Sequence, residues 1–392
     1  MITLRPHQTE AQKALLNHSI GQCIFPTGAG KTLVAIMDAV TRFESDISRT
    51  IVVVCPRILL VEQLSSEYLE HITNAHVMHV HSGETKHFKT TKPEQIKLHH
   101  QVCKNANEHE IIFTTYHSLH RIQEAGIDVD TIYFDEAHNS CQSNFYPSTE
   151  YFSKNANRAY FFTATRKTSV TPKKPGMNWT ETYGQVIARV SAPDLVQGGY
   201  ILPPKVKVIR MDQVDKKSLT PHLESNNVLA SIDEIGIKKI LVCVKTARQL
   251  QNLFMTDFAD QLAERGYSYL YITSRTGAII DGRKVSREEF FETLNAWGKD
   301  KAKKFVCLHR SILSEGINCS ELEAVVFLRN MDAIEMLQTV GRVIRVGSEN
   351  KTYGMLCVPV YSNVGVSTER SLQKCVDIVF EKGEMLDSVV RR

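Results

Sequence analysis

The chain has 392 residues, 42% of them hydrophobic and 23% charged, which excludes disordered, collagen-like and disulfide-dense classes. Lys and Arg outnumber Asp and Glu by 47 to 43, and the net charge of +4 suits a nucleic-acid partner without demanding one. No apolar run approaches the roughly 20 residues that cross a bilayer, and Met1–His7 leads straight into motif-like sequence, so neither a membrane span nor a cleavable leader is expected.

Length predicts two domains of somewhat under 200 residues each. The first apolar strand, Gln22–Phe25, runs directly into Pro26-Thr27-Gly28-Ala29-Gly30-Lys31-Thr32. Leu33, Val34, Ile36, Met37, Val40 and Phe43 then recur at helical spacing, so a helix opens where the loop ends. Such a junction presents backbone N–H groups and a positive helix end to phosphate. Gly28 and Gly30 let the backbone come close, with Thr27 and Ala29 completing the cradle. Lys31 reaches the terminal phosphates, and the Thr32 hydroxyl can ligate magnesium. Phe25 stands where the full G-x-x-x-x-G-K-T pattern has glycine.

Further strands are expected at Ile51–Cys55, Ile111–Thr114, Thr131–Phe134 and Ala159–Thr163. His76, His79 and His81, with His87 beyond, alternate with Val77, Met78 and Val80 as one face of an edge or half-buried strand does. No cysteine lies at zinc-ligand spacing from them, so a strand face is preferred to a metal site. Asp135-Glu136-Ala137-His138 follows Thr131–Phe134, at the carboxyl edge where open α/β sheets bind ligands. Asp135 is placed to hold magnesium, and Glu136 to position or deprotonate an attacking water. Two adjacent acids can merely cap a helix; the phosphate loop upstream favours chemistry.

Arg166–Pro204 is rich in proline and glycine and weak in periodicity, which divides the chain into domains at 1–195 and 196–392. The second domain is expected to hold strands at Val206–Met211, Ile240–Val244, Ser268–Ile272, Phe305–Leu308, Ala324–Leu328 and Gly354–Val360. Continuous apolar strands between helical patterns indicate parallel sheets covered on both faces. Gln338-Thr339-Val340-Gly341-Arg342-Val343-Ile344-Arg345 supplies two arginines that share one face if the segment is helical. An arginine reaching a transferring phosphoryl group is worth roughly 10³–10⁵ in rate. Nine scattered cysteines, none in C-x-x-C spacing, read as reduced thiols of a cytoplasmic protein.

With these segments in view, the chain resembles a superfamily 2 helicase of the DEAH-type DNA group that includes type III restriction motor subunits, RadD-like proteins and the phage helicase UvsW. The resemblance spans about residue 4 to about residue 345 and implies an α/β fold of two RecA-like doubly wound parallel-sheet domains in tandem. It implies ATP and Mg2+ as cofactors, an ATP site in the cleft between the domains, and DNA rather than RNA as partner. Leu4-Arg5-Pro6-His7-Gln8 matches the family's adenine-reading segment, which assigns Gln8 and Arg5 to the base. Cys55-Pro56-Arg57 and Thr114-Thr115-Tyr116 match loops that grip the nucleic-acid backbone, and Thr163-Ala164-Thr165 matches the element linking ATP state to that grip, with His138 beside it. Lys245, Arg275, Thr276 and the Ser314-Glu315-Gly316-Ile317-Asn318 segment, whose Gly316 faces the nucleotide, occupy the remaining motif positions.

Three departures stand out. Arg166 replaces the usual proline, Asn318 replaces the usual aspartate, and the chain ends 47 residues after Arg345, which suggests a bare two-domain motor. An unwinding or branch-remodelling helicase is the preferred expectation. A duplex-DNA translocase working for a nuclease, an RNA helicase and a non-hydrolysing clamp are the alternatives.

Overall fold

Strands that are apolar on both faces need helices over both faces. The computed structural model, which describes residues 3–212, 219–273, 275–310, 321–347, 351–361 and 365–390, supplies that cover twice. One compact unit ends at Val190 and takes back the segment from Asp387; Ser191–Leu386 form the other. No helix among the described residues is long and apolar enough to cross a membrane.

The first unit holds β1 (Ile20–Ile24), β2 (Thr50–Cys55), β3 (Ala75–Val80), β4 (Phe88–Lys89), β5 (His109–Thr115), β6 (Thr131–Phe134), β7 (Arg158–Thr163), β8 (Lys167–Ser169) and β9 (Val186–Arg189). Eight of these make one parallel sheet in the order β4-β3-β5-β2-β6-β7-β1-β9. The second unit holds β10 (Pro204–Arg210), β11 (Lys239–Cys243), β12 (Ser268–Thr273), β13 (Gly277–Ile280), β14 (Arg283–Val285), β15 (Phe305–His309), β16 (Ala324–Phe327) and β17 (Gly354–Val360). Its sheet runs β10-β17-β16-β11-β15-β12-β13-β14 and is parallel except at the last two pairings. Both sheets are doubly wound and RecA-like, as expected, and every strand expected from the sequence is present.

Burial follows position in the sheet. β2, β6, β11 and β16 are buried at every residue, whereas edge strand β10 is only half-buried. The β13–β14 hairpin was not expected, although its signal is Asp281-Gly282 with φ of 44° and 80°, a two-residue turn of the type that matches strand twist. The final strand β18 (Ser388–Val390) pairs in parallel with β8, so the segment after Asp387 belongs to the first unit. No residue pattern near the carboxyl end announces this.

The helix behind the phosphate loop, α2 (Lys31–Arg42), carries a buried charge. Asp38 has no exposed surface and accepts Arg42 Nε at 2.8 Å, Arg42 Nη2 at 3.0 Å and the Tyr133 hydroxyl at 2.5 Å. Arg42 Nη2 also donates to the Tyr160 hydroxyl at 3.2 Å. That hydroxyl lies 2.5 Å from the carbonyl of Leu15 on α1 (Pro6–Asn17). Four elements are thereby held in one arrangement: α1, α2, β6 and β7. Desolvating a carboxylate costs several kcal/mol, and only this complete partner set offsets it.

Removing one partner strands the other charge. Asp38→Ala and Arg42→Met are each expected to cost the first unit about 3–5 kcal/mol, measured by urea unfolding followed through Tyr and Trp fluorescence. The triple change D38L/R42M/Y133F should recover most of that loss.

Candidate nucleotide site and its coupling elements

The register of β1 against β7 sets Ile24 beside Thr163, and Phe25 N–H donates to Thr163 O at 3.0 Å. The phosphate loop and the Thr163-Ala164-Thr165 segment therefore leave the sheet side by side. Gly30 caps α2 at φ 81° and ψ 40°, a left-handed conformation favouring glycine, and a Cβ there would collide with Gln8 Nε2. The first N–H groups of α2 have no intrahelical partners, as at any helix start. Lys31 Nζ lies 3.4 Å from Phe25 O, folded over the loop.

α1 leans on this loop. His7 Nε2 lies 2.9 Å from Ala29 O, and Gln8 Nε2 is 3.4 Å and 3.3 Å from the carbonyls of Ala29 and Gly30. Gln8 Oε1 accepts Arg5 N–H at 2.9 Å, so the buried Gln8 amide spends its capacity on backbone. Arg5 caps the helix. Thr27 and Gly28 are half-buried, and Ala29 is wholly covered.

Lys31, Thr32, Tyr68, Tyr133 and Asp135 line one small cavity. Burial, and next the neighbouring Glu136, push the Asp135 carboxyl up to about 7, against the opposing pull of Lys31. The Asp135 carboxylate and the Thr32 hydroxyl in this cavity are oxygen donors of the kind a hard divalent cation takes.

Glu136 adopts φ 46° and ψ 51°, left-handed backbone that costs a non-glycine residue about 1–2 kcal/mol. Such strain persists where the surroundings require a side chain in a set place. Glu136 Oε2 is buried without a hydrogen-bond partner, 3.4 Å from His138 Nδ1. His138 Nδ1 is 3.1 Å from Thr163 Oγ1, and its Nε2 is 3.2 Å from the Asn139 amide nitrogen. The amide can only donate, so the His138 proton sits on Nδ1 and points at Thr163 and Glu136. Thr163 Oγ1 in turn donates to Thr165 O at 3.0 Å. A continuous line thus runs from the carboxylate to the Thr163-Ala164-Thr165 turn, where Thr165 Oγ1 is buried without a partner.

The strand-end loops differ from expectation in one respect. Thr114 and Thr115 are buried; Thr114 Oγ1 donates to Val80 O at 2.8 Å and Thr115 Oγ1 lies 3.4 Å from Ser118 Oγ. The Thr114 hydroxyl braces β5 against β3 and the Thr115 hydroxyl faces the turn that follows, because the strand remains inside the sheet to Thr115. The next residue, Tyr116, donates to Asp135 O at 2.9 Å and fastens this loop to the acidic pair. Arg57 is exposed at the start of α3 (Ile58–Leu69).

In the second unit Lys245 and Arg275 are exposed after β11 and β12, while Thr276 is half-buried with its hydroxyl 2.6 Å from Thr273 Oγ1. The helix Ala333–Val343 contains the half-buried Gln338 and the largely covered Arg342. Arg345 lies beyond that helix, in a bridge with Ile201, so the expected shared helical face does not form. The reason is that Ile344 caps the helix and gives its carbonyl to Leu202 N–H at 2.7 Å. Gly316 and Asn318 lie outside the described residues, as do Ser274 and the rest of the 314–318 motif.

Residues 1–168 match the family described as "Type III restriction enzyme, res subunit", and residues 225–347 match "Helicase conserved C-terminal domain". Together the two matches indicate a superfamily 2 helicase of the type III restriction motor kind. Among curated proteins, "Putative helicase 22" of Sulfolobus islandicus filamentous virus (isolate Iceland/Hveragerdi) is 24% identical over 366 residues, covering 86% of this chain and 60% of the relative. The Type ISP restriction-modification enzyme LlaBIII bound to DNA superposes with a TM-score of 0.77 at 18% identity, over 99% of this chain and 31% of that one. The Mycobacterium smegmatis helicase Lhr bound to ssDNA and AMP-PNP gives 0.61 at 17% identity, over 95% and 48%. At these identities the structures show the shared fold, and this chain spans less than two thirds of each relative.

Against the superfamily pattern, Arg166 stands where proline is usual, and the structure gives it a partner. Its guanidinium meets Asp387 in a two-pronged pair at 3.1 and 2.8 Å, across 221 positions of sequence. Ser388 N–H donates to Arg166 O at 2.8 Å and opens the β18–β8 pairing. The residue after Thr165 is therefore tied to the returning segment.

Two outcomes are expected. A double-mutant cycle on Arg166→Ala and Asp387→Ala should give a coupling energy of about 1 kcal/mol, since the bridge is two-pronged but partly solvated. The Asp135 carboxyl must lose its proton before it can hold a cation. The Mg2+ affinity of nucleotide-free protein, followed by calorimetry, should therefore fall about tenfold per pH unit below 7 and level off above it. Asp135→Asn should abolish that slope.

Proposed function

We propose that the chain is an ATP-driven motor on nucleic acid, DNA in preference to RNA, that couples hydrolysis to closure of its two domains. The observation that carries the reading is the line Glu136–His138–Thr163–Thr165, because it joins a water-activating carboxylate to a segment leaving the sheet beside the phosphate loop. A clamp that merely binds nucleotide has no use for that line, nor for a strained Glu136.

In this reading Thr27, Gly28, Ala29 and Gly30 wrap the phosphates with backbone N–H groups, and Lys31 neutralises their terminal charge. Thr32 and Asp135 hold Mg2+, which supplies Lewis-acid stabilisation of the phosphoryl oxygens when bound. Glu136 orients the attacking water and takes its proton, with His138 Nδ1–H steadying the carboxylate. Gln338, Arg342 and Arg345 of the second unit act on the water and the developing charge. Arg5 and Gln8 meet the adenine. Because Gln8 otherwise holds the loop carbonyls, base recognition and loop shape are exchanged against one another.

Arg57, Lys245 and Arg275, exposed at strand ends, supply phosphate contacts, together with main-chain groups near Thr114, Thr115 and Thr276. Binding of this kind is largely sequence-independent and steeply salt-dependent. The DNA-bound restriction-modification enzymes of like fold support DNA as the track. They also support a second reading, a translocase that moves on duplex without opening it. The described cysteines are all buried and free of disulfides, which fits a reducing cytoplasm.

Steady-state ATP hydrolysis compared across single-stranded, duplex and forked DNA and RNA tests the proposal. DNA should stimulate the rate most. Lys31→Ala and Glu136→Gln should each lower it at least 100-fold, and Arg342→Ala at least as much. Hydrolysis indifferent to every nucleic acid would contradict the motor reading. Triplex displacement without strand separation would select the translocase.

A further inference from the structure

Away from the nucleotide site, three side chains converge where α3 packs on β3. Glu62 Oε1, His79 Nδ1 and His81 Nε2 form a triangle with edges of 3.2, 3.1 and 3.4 Å. Both imidazoles are wholly covered, while Glu62 keeps 35% of its side chain exposed, so the group opens to solvent through the carboxylate.

Hydrogen bonds alone leave this triangle crowded or repelling along one edge. The carboxylate only accepts, so with one proton on the two facing nitrogens, the bare nitrogen sets a lone pair against the carboxylate oxygen. With two protons, both N–H groups donate to the one Glu62 oxygen and crowd each other across 3.1 Å. With none, every edge repels. Each protonation state leaves one unfavourable edge, and a cation at the centre removes all of them together.

We propose that Glu62, His79 and His81 form a binding site for a tetrahedral divalent transition metal of the Zn2+ type, stapling α3 to β3. Ligands about 2.0–2.1 Å from a tetrahedral ion stand roughly 3.3 Å apart, which the three edges match. Two imidazoles and a carboxylate are a donor set of intermediate softness, suited to zinc rather than to magnesium or calcium. His79 Nε2 lies 2.9 Å from Ser65 Oγ on α3, the outer contact that fixes the ring of a metal-bound histidine. The fourth position is left for water.

Two groups oppose loading. Lys89 donates to Gly83 O at 2.9 Å, beside the site, and His87 stacks on His79 at 5.1 Å. Gly83 N–H also donates to His81 Nδ1 at 3.1 Å, so metal on Nε2 moves the ring proton to Nδ1 and displaces residues 82–84. Burial lowers the proton affinity of both rings, His79 to about 4, so at neutral pH the proton does not fill the role of the cation. The neighbouring group His99, Cys103 and Glu110 is a contrast. There each Glu110 oxygen has its own imidazole, His99 at 2.7 Å and His100 at 2.9 Å, and the Cys103 thiol stands off at 3.8 Å from His99 Nδ1.

The experiment is titration of the chelator-treated full chain with Co2+, read by visible absorption, followed by displacement with Zn2+. One equivalent with the strong band of tetrahedral cobalt is expected, with a rise in melting temperature on Zn2+ addition. Glu62→Gln, a change at a partly exposed position, and His81→Gln should each weaken binding at least tenfold, while His99→Gln leaves it unchanged. Circular dichroism establishes that each variant is folded. Absence of a tetrahedral band at one equivalent, or a band indifferent to E62Q and H81Q in folded protein, overturns the site.

Discussion

The Asp38 carboxylate governs the first unit. It sits on the helix that begins at the phosphate loop, yet its partners come from β6 through Tyr133 and, by way of Arg42, from β7 through Tyr160. Those two strands end at Asp135-Glu136 and at Thr163. A buried charge tolerates little displacement of its donors, because each lost hydrogen bond exposes a large desolvation cost. The relative position of loop, acidic pair and coupling turn is therefore set from behind the site by one polar knot. The chemistry in front inherits its geometry.

On that support the site carries local tension. Glu136 is held in left-handed backbone, Asp135 is charged only at a cost until a cation arrives, and one oxygen of Glu136 is buried without a partner. In the proposed motor, a bound cation and the attacking water would relieve the last two of these. His138 and Thr163 offer a short route by which such relief reaches the next segment, and Arg166–Asp387 extends it to the returning strand β18. A two-state element biased by ligand is what motor action requires.

Much of the fold was legible from residues alone. β2 and β6 read as continuous apolar runs because both faces are covered, and the phosphate loop reads clearly because its glycines, Lys31 and Thr32 are contiguous. The short strands β8, β9 and β18 were not legible, since three or four residues carry no usable period. The burial of the Thr114 and Thr115 side chains was not legible, because sequence marks a strand end only to within a residue or two. The end of the helix before Arg345 was not legible either, because a tertiary contact of Ile344 with Leu202 stops it.

The sequence by itself determined the class of the protein and the order of its parts: phosphate loop, acidic pair, coupling turn, arginine pair. These are contiguous motifs whose chemistry depends on spacing along the backbone. The tertiary structure alone decided the partnerships: Asp38 with Tyr133, Arg166 with Asp387, and Glu62 with His79 and His81. Periodicity records which face of an element is buried, not which distant residue meets it there. That choice is made by packing, where a buried polar atom must find its partner wherever the chain has placed one.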